Sequence, residues 1–139
     1  NELMAVKGAK KFLEENKFNY FIGSNSLKKR ILFGLKKVKF DKFISNKKVF
    51  SFDMVKRPKP HPDIYLEAIR AHNLKTNETI IIEDSSVGVQ AGNAAGVKVF
   101  GLTAGGHWYP SRSSAELLES GAYTIVKNYK EVEREIKKL

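Results

Sequence analysis

The apolar positions of this chain fall into two kinds of run that alternate. Between residues 26 and 38, Leu27, Ile31, Leu35 and Val38 recur at spacings of three and four, the period of a helix with one apolar face. Just before it, Asn19–Gly23 ("NYFIG") is aromatic and apolar and predicts a strand. The same reading gives a helix over 3–16, with Met4, Phe12 and Leu13 among charges, and a short strand within 47–52. It then gives a helix from Asp63, taken as its cap, to about His72, a strand over 79–83 and a helix over 85–95. A strand over 97–102, a helix over 111–120 stopped by Gly121, a strand over 124–126 and a closing helix over 130–138 complete the chain. Two stretches fit no regular element. In "RPKPHPD", 57–63, three prolines fix φ and remove donors. "TAGGH", 103–107, reads as a flexible loop.

Strands and helices alternate throughout, and the strands are apolar along their length rather than at every second residue. That pattern predicts an α/β fold: a parallel sheet covered by helices on both faces, a Rossmann-like three-layer arrangement. With 139 residues and 42% apolar content, the whole chain, 1–139, reads as a single domain with no internal repeat or linker.

Composition adds limits. Absence of cysteine excludes disulfides and thiolate metal sites and fits a reducing cytoplasm. No apolar run approaches the length of a membrane span, so no membrane partner is expected. The net charge of +10 favours anionic ligands, although solvated, lysine-rich helix faces account for it on their own. Lys28, Lys29, Arg30, Lys36 and Lys37 cluster on helix 26–38, but with little aromatic interleaving; nucleic acid is not the expected partner. Near the phosphate-binding candidates described next, the 28–30 cluster adds local positive potential.

In an open parallel sheet, ligands bind beyond the carboxyl ends of the strands. Three predicted strand ends carry reactive groups there: Ser24 after "NYFIG", Lys59 in the proline-rich loop, and Glu83 with Asp84 after "TIII". Each has an ordinary role available, as a cap, a loop lysine or compensation of a helix dipole. Together they suit phosphoryl transfer, which asks for positioning and charge neutralisation more than for acid–base chemistry. Ser24 and the N–H of Asn25, at the start of a helix, would bind phosphate oxygens. Lys59 would add a full positive charge. Asp84, with or without Glu83, would offer hard oxygens to Mg²⁺. His107 and Trp108 read as surface residues of the glycine loop.

The runs "FIGSNS", "KPHPDIYLEA" and "IIIEDSSVGVQAGNAAGVKVFGLTAGG" closely resemble motifs II, III and IV of the haloacid dehalogenase superfamily, in its phosphatase and β-phosphoglucomutase-like branch. The resemblance implies Ser24 as the motif II phosphate binder with Asn25 beside it, Lys59 as the motif III lysine, and Asp84 as the Mg²⁺ ligand with Glu83 as its partner. Pro58 stands where that family usually has glycine. The resemblance further implies a small phosphorylated metabolite as substrate and an aspartyl-phosphate intermediate. The family's DxDGT-type motif I, which supplies the nucleophile, has no counterpart here, and neither has the helical cap. The chain therefore resembles the C-terminal part of an enzyme core, and opens on Asn1. By this reading the 139 residues alone do not turn over substrate. In the implied sheet order, 3-2-1-4-5, the central strand is the missing one. An N-terminal segment of the same product, or a strand from another chain, is then expected to fill the slot. A response-regulator receiver also combines acids, a hydroxyl and a lysine, but its acid pair comes first and its lysine last, whereas the order here is Ser24, Lys59, then Glu83–Asp84. Gly88, Gly92 and Gly96, spaced by four, match neither GxGxxG nor a phosphate loop.

Overall fold

The structure, a computed structural model, describes residues 9–105, 107–109 and 111–139. Eleven regular elements follow one another: α1 (Ala9–Glu15), β1 (Ile22–Ser24), α2 (Lys28–Lys37), β2 (Val49–Ser51), α3 (Asp63–His72), β3 (Ile80–Glu83), α4 (Ser86–Ala94), β4 (Lys98–Leu102), α5 (Ala115–Glu119), β5 (Thr124–Val126) and α6 (Tyr129–Lys137). The expected α/β alternation holds, and every strand pairing is parallel.

The strands form two sheets rather than one. β1 pairs with β2, in register Gly23 to Phe50, while β3, β4 and β5 form a second sheet in that order. No pairing joins β1 to β3 among the described residues. A cleft of about 890 Å³ lies between them, walled by Ile22 and Gly23 on one side and Ile80, Ile82 and Glu83 on the other. Each sheet carries its own buried residues. Leu35, Ile44 and Val49 pack on one face of the smaller sheet, and Phe50, Ile64 and Ala68 on the other. The larger sheet has Ile81, Val89, Val99 and Leu117 on one side and Phe12, Phe100, Leu102, Val126 and Val132 on the other.

Several expected boundaries move, each for a local reason. Residues 3–8 of the first predicted helix lie outside the described residues. Tyr20 and Phe21 precede β1 rather than forming it; the Tyr20 hydroxyl turns back to the Asn16 carbonyl at 2.7 Å. Asp63 does not cap α3 but is its first residue, with Pro62 at the cap, because its carboxylate is held by Arg57 at 2.8 Å. The helix expected over 111–120 shortens to α5, as Ser113 bonds the Ala115 amide through its hydroxyl and competes with the first turn. Gly121 does stop it, at φ +110°, where a side chain would also strike Asn93. Asn128 caps α6 by accepting from the Glu131 amide at 2.9 Å.

Candidate active site

The carboxyl ends of β1 and β3 face the same end of the cleft. β1 ends on Ser24. Its hydroxyl does not cap α2, which starts four residues later behind Leu27; it accepts instead from the Ser26 amide at 3.1 Å and shapes the turn. The α2 N-terminus is served by Asp53, which accepts from the Lys28 amide at 3.3 Å.

Asn25, expected to contribute backbone, also engages through its side chain. Its Oδ1 accepts from the Lys59 amide at 3.0 Å and its Nδ2 donates to the Lys59 carbonyl at 3.4 Å. One asparagine thus grips both main-chain groups of the residue at the centre of the proline loop. Pro58 and Pro60 flank that residue and hold φ, so the lysine is presented from a stiff support.

The Lys59 side chain reaches across the cleft. Its ammonium donates to the Gly23 carbonyl of β1 at 2.8 Å and to Glu83 Oε2 of β3 at 2.5 Å. Both side chains of this pair are buried, with 9% and 8% of their surface exposed, and an ion pair withdrawn so far from water is only weakly screened. The Tyr65 hydroxyl, from α3, also donates to Glu83 Oε2, and the Lys59 ammonium stands 5.1 Å from the Tyr65 ring centre. Burial, followed by the negative charge of Glu83, pushes the Tyr65 hydroxyl far above the usual tyrosine range, so it remains a donor. Room for the Glu83 carboxylate comes from Gly88 on α4, where a Cβ would lie 2.1 Å from Glu83 Oε1. Ser85 caps that helix by accepting from the Gly88 amide at 3.2 Å.

Asp84 differs from its neighbour. Its side chain is about half exposed and has no lysine or arginine partner among the described residues; His107 Nε2 stands 3.6 Å from its Oδ2. Lys59 cancels Glu83, and the charge of Asp84 is left over at the mouth of the cleft. Among the described residues no three His, Asp or Glu side chains converge as a ready-made metal cage. A single available carboxylate at an open edge nevertheless fits Mg²⁺, which binds through one or two carboxylates and keeps its other positions for water and phosphate oxygens.

The roles of Tyr65, Gly88 and Trp108 were missed in the sequence. Tyr65 sits inside "KPHPDIYLEA" without a chemical signal of its own, and Gly88 reads only as one of three glycines spaced by four. Trp108, read as a surface residue, donates its indole N–H to the Asp84 carbonyl at 3.0 Å.

The model of the haloacid dehalogenase-like hydrolases matches residues 1–102. The chain belongs to this family. Among curated relatives of this haloacid dehalogenase-like chain, the phosphorylated carbohydrates phosphatase of Thermotoga maritima is 28% identical over 123 residues, 88% of this chain and 54% of that protein. Among solved structures, a haloacid dehalogenase-like protein of unknown function from Agrobacterium tumefaciens superposes with a TM-score of 0.87 at 29% identity, over 95% of this chain and 60% of that one. A HAD family hydrolase from Deinococcus radiodurans, solved with bound phosphate and sodium, superposes with a TM-score of 0.78 at 30% identity, over 91% and 56%. The chain thus spans a little over half the length of these relatives. Among the described residues, no helix is long and apolar enough to cross a membrane.

Proposed function

We propose that this haloacid dehalogenase-like chain forms the phosphate- and cation-binding part of a phosphatase or phosphomutase site acting on a small phosphorylated metabolite. The observation that carries the reading is the Lys59 ammonium, which joins the end of β1 to the end of β3 beside the half-exposed carboxylate of Asp84. Ser24 and Asn25 lie at the same edge, and the phosphatase relative supports the reaction class.

In this account the phosphoryl group lies over the mouth of the cleft. Lys59 meets its oxygens, held in place by Asn25 from behind and by Glu83 and Tyr65 from the side. Ser24 offers a hydroxyl. Asp84 would hold Mg²⁺, with Glu83 behind it as the partner of Lys59; Mg²⁺, when bound, offsets charge on the phosphoryl oxygens. Fixed charges of this kind stabilise a phosphoryl-transfer transition state without reorganising during reaction.

The cleft completes the proposal. Its walls are two parallel strands, β1 and β3, that do not pair with each other and are lined with apolar side chains. The occupant that suits them is one further parallel strand from outside these 139 residues, ending in the nucleophilic aspartate. That carboxylate would emerge beside Lys59 and Asp84.

The test is hydrolysis of p-nitrophenyl phosphate by the chain, alone and with a synthetic peptide carrying an apolar strand that ends in Asp-Xaa-Asp-Gly-Thr. The chain alone is expected to show no turnover above background. With the peptide, turnover should appear, require Mg²⁺, and collapse in Asp84→Asn and Lys59→Ala. Mg²⁺-independent turnover by the pure chain would overturn the mechanism.

A further inference from the structure

Asp84 occupies a gap in the main-chain hydrogen bonding. The β3–β4 ladder ends at Glu83, opposite Gly101, and the first carbonyl used by α4 is that of Ser85, which accepts from the Val89 amide at 2.9 Å. The Asp84 carbonyl falls between ladder and helix, and a carbonyl in that position needs a partner from elsewhere. It finds one in the loop after β4. Trp108 Nε1 donates to it at 3.0 Å, and His107 Nε2 lies 3.2 Å from the same oxygen.

The loop is itself tied down. The Arg112 guanidinium stacks on the Trp108 ring at 3.9 Å and donates to the His107 carbonyl at 3.0 Å. Arg112 Nε also donates to Glu116 at 2.9 Å, and the other oxygen of Glu116 accepts from the Ser86 hydroxyl at 3.2 Å. Arg112 holds the Glu116 carboxyl below the usual carboxylate range, so the tie persists through neutral pH. The contacts close a ring: Asp84 to Trp108, Trp108 to Arg112, Arg112 to Glu116, Glu116 to Ser86, two residues beyond Asp84. A ring anchored at the Asp84 carbonyl and at Ser86 limits rotation of the main chain that leaves Asp84, and so the direction of its side chain.

The geometry points to Trp108 as a positioning residue: its indole N–H fixes the main chain of Asp84 and thereby the aim of that carboxylate at a divalent cation. The inference rests on the reading of Asp84 as a cation ligand. An ordinary packing role is the competing explanation, because Trp108 also lies against the cluster of Ile81, Val89 and Leu117. Trp108→Phe separates the two, since it keeps a ring and removes the donor.

The experiment measures Mn²⁺ binding to the 139-residue chain from the EPR signal of free Mn²⁺, in wild type, Asp84→Asn, Trp108→Phe and Arg112→Met, with thermal melting of each. Wild type should bind, Asp84→Asn should not, and Trp108→Phe should bind about 10-fold more weakly, the usual effect of losing a group that orients a ligand. Its melting should change little. Arg112→Met keeps the indole N–H but frees the ring, and should weaken binding in the same direction by less. Equal affinity of wild type and Trp108→Phe overturns the inference and leaves Asp84 as ligand. If Trp108→Phe does not fold, equal affinity of wild type and Arg112→Met overturns it instead. Absence of Asp84-dependent binding in wild type overturns both the inference and the reading beneath it.

Discussion

Gly88→Ala is the smallest change that should dismantle the centre of the site. The added methyl would stand 2.1 Å from Glu83 Oε1, 2.2 Å from Cδ and 2.5 Å from Oε2. A free carboxylate could swing aside. This one is pinned by Lys59 and Tyr65 and buried, so moving it breaks the ion pair. Alanine in place of glycine inside a helix gains about 1 kcal/mol. Breaking a buried ion pair costs about 3–5 kcal/mol, because each charge is left without its partner. The net is a loss of about 2–4 kcal/mol, or roughly 7–14 °C in Tm for a chain of this length. Urea unfolding of wild type, Gly88→Ala, Glu83→Ala and the double variant would measure it. In the Glu83→Ala background there is no carboxylate to displace, so the second substitution should cost nothing or stabilise. An equal cost of Gly88→Ala with and without Glu83 would refute the reasoning.

Two further outcomes concern Tyr65 and Arg57. Tyr65→Phe removes one of the two donors to the Glu83 carboxylate and should lower stability by about 1.5–3 kcal/mol in the same urea assay, the range for a hydrogen bond to a charged group; unchanged stability would deny that the hydroxyl supports Glu83. Arg57, hydrogen-bonded to Asp63, holds that carboxyl below the usual range. Because the folded value is depressed, this contribution is present above the ordinary aspartate pKa of about 3.9 and is lost as pH falls through the folded value. In Arg57→Gln the Asp63 carboxyl, followed by NMR, should titrate at higher pH than in wild type.

The alternation of apolar strands and amphipathic helices was sufficient to read α/β order from the sequence, down to the bounds of Thr124–Val126. Boundaries slipped where a side chain satisfied the backbone in an unexpected way: Ser24 turning onto Ser26, and Asp63 engaged by Arg57 rather than capping. The candidate site was legible as residue types at strand ends, since Glu83 ends a strand and Lys59 and Asp84 come after one. Their division of labour was not. Glu83 is the last residue of β3 and is buried against Lys59, whereas Asp84 lies just past the end of the ladder and stands half exposed. Asn25, Tyr65 and Trp108 act through contacts with residues distant in sequence, which no local pattern encodes.

The central claim is that β1 and β3 are the two walls of a seat for one more strand, and that the site is assembled across it. Hydrogen exchange on the 139-residue chain, with and without the peptide carrying an apolar strand ending in Asp-Xaa-Asp-Gly-Thr, tests this most directly. The amides of Ile22–Ser24 and Ile80–Glu83 that are not donated to β2 or β4 should exchange quickly in the chain alone. Both sets should gain protection together when the peptide binds, with β5 unchanged. Protection of both sets in the chain alone, or gain at neither on adding the peptide, would contradict the account.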